Sequence, residues 1–535
     1  MTAVTTAAPP ERIWAALQSR SFRALWLGSL ALNLTIWMQS VAAAWLMVSL
    51  TTSPLMVALI QTASALPSFI FALPSGVMAD LVDRRRYLLR VVGSMLIVAL
   101  VLCAVAGSGG MGAWTLLILT FCLGVGFALQ GPAWYTAQTD SVTRLLLPSA
   151  MGLTAVSYSS ARAIGPAMAG VVMSQLGALA VFGLAALMLA CALLILVRWD
   201  NPKRSSTLPP EDLRSGLRGA LRYVRHSRMM KIQMLRTVLF VGVASALWAL
   251  LPLIAGQSLG AGAGGYGLLL GCIGGGSMLG AVMLPRLKHI VEINRMMGLS
   301  ALVYAGATVI AATVGSMPVV CVALVAAGVA WLGVGNTNML ALQSAVPGWI
   351  RGRALAVYML TFQGAMAAGS ALWGALASRV GLAPTLLLSA GLMLVVLVLM
   401  NRYRARLGED DEATEFADAR QLAVAPALAP DDKQAAVAVQ IEYVVAPGDR
   451  VEFLRQLYAI GSARRRDGAS FWRVFRDLDH GERYVERFIV DSWDQYLRQR
   501  SRATIADMAA QQRLLTMHAG SEAPQVSHYV SERCP

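Results

Sequence analysis

Apolar residues fill long, nearly unbroken runs over roughly residues 23–402, and short polar or glycine-bearing turns separate them. A hydrocarbon layer takes about 20 such residues per helix. The runs predict twelve spanning helices, at roughly 23–50, 54–79, 88–107, 113–137, 146–174 and 177–198, then 233–256, 265–286, 295–315, 317–345, 353–378 and 382–402. Between the sixth and seventh the pattern changes. Leu213, Leu217, Ala220, Leu221 and Val224 share one helical face, bordered by Arg214, Arg218, Arg222 and Arg225. That is the pattern of an amphipathic helix lying on a membrane surface.

After residue 406 the long apolar runs stop. An acidic, Ala/Pro-rich stretch of the kind that makes mobile linkers leads into a last segment with shorter periods. That segment predicts strand 436–445, helix 448–463, strands 470–477 and 484–491, helix 493–517 and strand 525–531. A β-α-β-β-α-β order is ferredoxin-like. The chain reads as an all-α polytopic membrane protein with a small C-terminal α+β domain. Its expected division is 1–22 (cytoplasmic N-terminus), 23–198 (first six-helix half), 199–231 (central loop), 232–406 (second half), 407–435 (linker) and 436–535 (soluble domain).

The two halves repeat. A shift of 204 residues lays Val142–Gly177 on Val346–Gly381 without a gap, with nine of 36 pairs identical, Gly165/Gly369, Gly170/Gly374, Ser174/Ser378 and Gly177/Gly381 among them. The same shift lays Gly76 on Gly280 and Arg84 on Lys288. A parallel repeat of two six-helix bundles is the build of a transporter that rocks about a central site.

Composition agrees. Hydrophobic residues make up 57% of the chain and charged ones 14%, against about 25% charged in soluble domains. A fibrous or disordered chain is excluded by the absence of a glycine period and by the apolar runs. The net charge of +15 lies between the spans, in alternate connections: Arg84, Arg85, Arg86 and Arg90, then Arg144, the 199–231 loop, Arg286 with Lys288 and Arg295, Arg351 with Arg353, and Arg402, Arg404 and Arg406. The other connections hold only Arg379. The positive-inside rule makes the basic set cytoplasmic and with it both termini, in a multi-pass protein of the inner membrane. A nucleic-acid binder would carry such charge on a soluble face, so no nucleic-acid partner is expected. The six cysteines show no C-x-x-C spacing, and no nucleotide loop, nucleophile motif or metal-spaced cluster occurs. The expectation is a non-enzyme without metal or cofactor.

Arg162 is the basic residue well inside a span. Such a residue is costly in a bilayer and faces a cavity or a partner. Gly165 and Pro166 follow it, and the small residues Ala161, Gly165, Ala169 and Gly170 permit close helix packing. Two readings stand: an anion or hydrogen-bond site in a cavity, and snorkelling to the surface. Asp140 ends the fourth span, either as a structural partner for Arg144 or Arg162 or as a carrier of a coupling proton. No span holds a mid-membrane carboxylate. Asp80, Arg84 and Arg85 suit a charge-assisted latch at the cytoplasmic end; the alternative is plain orientation charge.

The run G-V-M-A-D-L-V-D-R-R-R at 76–86 resembles the loop signature of the major facilitator superfamily, with Leu81 and Asp83 departing from it. Gly76, Asp80, Asp83, Arg84 and Arg85 are its gating positions by that resemblance. Asp83 with Arg84 and Arg85, together with W-M-Q-S-V-A at 37–42, L-T-T-S-P-L at 50–55, A-R-A-I-G-P-A-M-A-G at 161–170 and R-G-R-A-L-A-V-Y at 351–358, resembles the enterobactin-exporter-like transmembrane secretion effector branch. The tail segments R-R-R-D-G-A at 464–469 and Ser492-Trp493 are similar to an extension found in that branch. The resemblance implies secondary transport by alternating access, as efflux of a drug- or siderophore-like small molecule by an antiporter with H+ as coupling ion. It also implies that spans 1, 4, 7 and 10 line the cavity, so Gln39, Gln130, Asn336 and Asn338 with Trp37 and Trp248 would as a set form an amphipathic pocket, while interhelical hydrogen bonds are the competing reading for each polar residue singly; Asp140, Arg162, Gly165 and Pro166 are further candidates beside it. Membrane lipid and a second copy, joined through the tail, are the remaining expected partners. Two rivals remain: a transporter fused to an active monooxygenase-like tail, and a receptor that transports nothing.

Overall fold

The computed structural model describes residues 14–81, 83–199, 222–287, 292–347, 350–402, 435–501 and 504–532. The predicted amphipathic face from 213 to 221, the first 13 residues and the 407–434 part of the linker lie outside the described residues. The chain divides into two compact units. One comprises Met1–Pro210, Arg236–Thr337 and Met359–Arg404, the other Glu211–Leu235, Asn338–Tyr358 and Ala405–Pro535.

The membrane helices follow the apolar runs. They are α1 (Arg20–Leu50), α2 (Pro54–Leu81), α3 (Arg84–Gly107), α4 (Ala113–Asp140) and a continuous Leu147–Arg198 stretch, then α7 (Arg228–Leu253), α8 (Ala263–Leu287), α9 (Ile293–Thr313), α10 (Met317–Ala345), α11 (Arg351–Val380) and α12 (Leu382–Arg402). The 52-residue stretch is two spans, α5 (147–176) and α6 (178–198), because Gly177 adopts φ 79° and breaks it. Gly381, its counterpart under the 204-residue shift, adopts φ 91° between α11 and α12. Only glycine takes that conformation without strain. The twelve expected spans are present. Among the described residues side-chain caps start α1, α3 and α7: Ser19 Oγ accepts from Phe22 N–H, Asp83 from Arg86 N–H at 2.8 Å, and Ser227 Oγ from Met230 N–H at 3.3 Å.

The first unit is held by close packing and by tryptophans that donate to carbonyls of neighbouring helices. Trp26 donates to Leu153 O (2.8 Å), Trp134 to Leu25 O (3.3 Å) and Trp373 to Gly242 O (2.8 Å). In hydrocarbon such a bond replaces an otherwise unsatisfied polar group. Glycines carry the contact between halves. A Cβ on Gly267 would lie 2.6 Å from Pro166 O, and one on Gly170 would lie 2.9 Å from Gly267 Cα. On the symmetry-related seam, α11 meets α2. Leu55 N–H donates to Ser378 Oγ (3.0 Å) and Thr62 Oγ1 to Ala367 O (2.9 Å). Both seams reach towards the bundle end that carries the weakly charged connections near residues 51, 176, 260 and 380.

The second unit contains the tail domain. Its strands β1 (Val437–Val444), β2 (Ala469–Arg476), β3 (Arg483–Val490) and β4 (Gln525–Val530) form one antiparallel sheet in the order β2-β3-β1-β4. The register pairs Val437 with Val490 and with Val530. This is the ferredoxin-like order. Helix α13 (Arg450–Asp467) packs Phe453 and Leu457 into a core with Tyr443, Trp472 and Phe488. The predicted helix 493–517 is two helices, α14 (Trp493–Ser501) and α15 (Ile505–Thr516). Thr504 and Asp507 form a capping box, which satisfies the N–H groups of a new helix start.

Candidate functional site

Arg162 stands about midway along α5, facing Trp37, about midway along α1. Helix α5 comes this close because Gly165 has no side chain: a Cβ there would lie 2.9 Å from Trp37 Cβ. The Arg162 guanidinium carbon is 5.6 Å from the Trp37 ring centroid and 5.5 Å from that of Trp248 on α7. Trp37 and Arg162 belong to the first half and Trp248 to the second. Tyr158, one turn before Arg162, meets Trp37 edge-on at 6.4 Å.

Behind Trp248 the second half supplies an aromatic wall. Trp331 lies 5.3 Å from Trp248, 6.0 Å from Phe240, 6.1 Å from Tyr304 and 5.9 Å from Phe362. The Tyr304 hydroxyl donates to Ala244 O at 2.9 Å. Sequence reading singled out Trp248 but missed Trp331, Phe240, Tyr304 and Phe362. One signal was present: the 204-residue shift lays Tyr158 on Phe362.

Polar atoms in this cluster are left over. Among the described residues, Arg162 Nε, Trp37 Nε1 and Trp248 Nε1 are buried without a hydrogen-bond partner. Buried native polar groups are nearly always paired, so each orphan calls for an explanation. Cation–π contacts contribute about 0.5–2 kcal/mol each, while taking an ion out of water costs several kcal/mol. The two rings therefore offset only part of the cost of holding Arg162 here. Gln39 is buried with both amide atoms unpaired among the described residues, as is Gln130 with its Oε1. Asn338 Oδ1 is likewise buried without a partner, in the second unit, whereas Asn336 is exposed. Pro166 lends its carbonyl to the close approach of Gly267.

A second basic residue lies inside the bundle. Arg236 on α7 is 1% exposed and donates to Asn294 Oδ1 (3.3 Å) and Met297 Sδ (2.8 Å). Its place near a span end hid it from the sequence reading.

The residues at the basic end divide differently. Arg84 donates to Asp140 Oδ2 at 2.7 Å, with side chains 20% and 22% exposed. Arg85 donates to Leu196 O (3.2 Å) and to Val197 O. Asp83 caps α3. All of these bonds lie inside the first half. Gly76 and Asp80 fall in the last turns of α2, where the side chain of Asp80 lies outside the described residues.

The tail has its own polar centre. Glu486 is fully buried and accepts from Trp472 Nε1 (2.9 Å) and Tyr443 Oη (3.2 Å), with Arg464 Nε at 3.6 Å. Burial, reinforced by Glu486, pushes the Tyr443 hydroxyl well above the usual tyrosine range. Within the same unit, Arg222 donates to Gly468 O (3.3 Å) and Arg466 lies over the Tyr223 ring at 5.9 Å. Arg466 is gripped by Asp467 (2.8 Å) and Asp507 (2.5 Å). Among the described residues no group of three or more His, Cys, Asp or Glu could hold a metal ion.

The chain is similar along its length to one family. The family model described as transmembrane secretion effector matches residues 11–535. A comparison with curated proteins finds no match. Solved structures share the fold at low identity. A mutant of the nucleoside transporter NupG aligns at TM-score 0.61 and 12% identity, covering 72% of this chain and 100% of its own. A bacterial homologue of the human lysosomal transporter Spinster, inward-facing and unoccupied, aligns at 0.57 and 14%, covering 74% and 96%. The POT family transporter PepTSo aligns at 0.58 and 11%, covering 72% and 97%.

Proposed function

The chain belongs to the transmembrane secretion effector family of major facilitator transporters, and on that footing we propose that it exports an amphipathic small molecule through the inner membrane by alternating access. The observation that carries this reading is the Trp37–Arg162–Trp248 cluster, which joins the two halves with unpaired polar atoms on one side and an aromatic wall on the other. Ligand sites in repeat transporters lie between the repeats near the bilayer midplane.

The charge asymmetry of the connections supports cytoplasmic termini. On that orientation, the seams of α5 with α8 and α2 with α11 close the external end, and the conformation is inward-facing. Asp80, Arg84 and Arg85 then act as gating residues at the cytoplasmic end. Arg84 and Arg85 would exchange their present partners, Asp140 and the α6 carbonyls, for partners across the halves when that end closes. The coupling ion is H+, in an antiport cycle. The tail serves as a sensing or dimerising module; the edges of its sheet, β2 and β4, are the surfaces open to a second copy.

The test is a flux screen of amphipathic fluorescent compounds in proteoliposomes under an imposed pH gradient. Saturable, gradient-dependent movement of at least one compound is expected. A chain that inserts, binds compounds and moves none of them under any gradient would be a receptor instead.

A further inference from the structure

Arg162 is a permanent cation in a layer where the chain provides no anion. The sequence holds no Asp or Glu between Glu11 and Asp80, between Asp140 and Asp200, between Asp212 and Glu292, or between Glu292 and Glu409. Those intervals contain all of α1, α5, α6, α7, α8, α9, α10, α11 and α12, and most of α2. Among the described residues the guanidinium has no ion-pair partner. An ionised side chain at this depth is tolerated when something pairs with it, and here the protein pairs it only with two ring faces.

The unpaired atoms point the same way. Arg162 Nε, Trp37 Nε1 and Trp248 Nε1 are all donors, and neither guanidinium nor indole can accept. Three donors that no acceptor among the described residues has taken up suit the oxygens of an anion. The wall behind it suits something flat and apolar. Trp248, Trp331 and Phe362 stand 5.3–5.9 Å apart in sequence along it, and Tyr304 has spent its hydroxyl on Ala244 O.

We propose that Arg162 is the counter-ion of the transported molecule: it receives an anionic group, a carboxylate, sulfonate or phosphate, while the molecule's aromatic body lies against Trp248, Trp331 and Phe362. The site selects aromatic anions and rejects aromatic cations. This deepens the transport reading above and rests on it for the fate of the ligand, while the binding preference stands or falls alone.

The experiment uses the full-length protein in nanodiscs of neutral lipid and three naphthalene probes of similar size: naphthalene-2-sulfonate, 2-naphthalenemethanol and (2-naphthylmethyl)trimethylammonium. Tryptophan quenching reports binding. The sulfonate should bind at least about tenfold more tightly than the ammonium probe, with the alcohol between them. Arg162→Gln should bring the sulfonate to the level of the alcohol, whose own affinity is retained, and Arg162→Lys should restore part of the preference. The wild-type comparison decides the matter even if a variant fails to insert. Equal or tighter binding of the ammonium probe, absence of saturable sulfonate binding, or an unchanged preference in Arg162→Gln would overturn the proposal. Flux of the same probes in proteoliposomes separates the two readings. Selective binding without flux would sink transport and leave the counter-ion role. Flux without selectivity would do the reverse.

Discussion

The guanidinium of Arg162 lies 5.5 Å from the ring of Trp248, and the two residues belong to opposite halves of the bundle. One intramembrane cation thus touches both bodies that must move against each other in an alternating-access cycle. The contact depends on the ring face rather than on bulk. Trp248→Leu should therefore keep the fold and insertion but loosen this junction: the lost ring contact with Arg162, about 1 kcal/mol, adds to the cost of shrinking a buried side chain packed on Trp331, about 1–3 kcal/mol, and the melting temperature should fall by several degrees. Flux should fall more than stability does. A variant with normal flux and unchanged melting would show that the contact is incidental.

Arg84 and Asp140 form a partly exposed pair at 2.7 Å. Pairs of that exposure contribute about 0.2–1 kcal/mol. Asp140→Asn should lower stability by no more than that and leave the pH profile of flux in place. A displaced pH profile would make Asp140 a proton carrier.

Gly267 packs where a Cβ would meet Pro166 O at 2.6 Å and Gly170 Cα at 2.7 Å. Both neighbours are backbone and cannot swing away. Gly267→Leu should wedge α8 from α5, at a cost of about 1–3 kcal/mol to this conformation. A cysteine introduced at Thr52 should then react faster with an impermeant maleimide from that end. Unchanged reactivity with full flux would mean the seam does not close the end.

Tyr223 is buried in a cluster with Met230, Leu342, Val346, Ile350 and Tyr358 and lies beneath Arg466. Tyr223→Ala should remove that burial, worth about 3–5 kcal/mol for a large aromatic side chain. Limited proteolysis should then cut the chain near 222–227 much sooner, while the tail sheet, whose core is Phe453, Leu457 and Phe488, keeps its own protection. Equal cleavage rates would show that Tyr223 does not hold this segment.

Much of the fold is legible in the sequence because the signals are local. Twelve apolar runs give twelve spans, and the Gly177/Gly381 match shows where both halves bend. The tail order follows from alternation in β1 and the apolar face of α13. The break before α15 is also local: Thr504 and Asp507 have capping-box spacing inside what otherwise reads as one helix. The site is less legible because it is assembled across distance. Trp248, Trp331 and Phe362 sit on three helices, and an isolated aromatic in an apolar span looks the same whether it faces lipid or a neighbour. Arg84 has Asp80 and Asp83 beside it in sequence, and only the packing of α3 against α4 selects the distant Asp140.

Alternating access about the Arg162 junction is tested most directly by electron–electron distance measurements on two spin-label pairs in a cysteine-free background. One pair, at Thr52 and Ala261, reports the end where the halves meet; the other, at Thr143 and Arg295, reports the basic end. Under a transported compound and a reversed pH gradient, the first distance should lengthen while the second shortens. Distances that stay fixed at both ends, under conditions where flux is measured, would contradict the account.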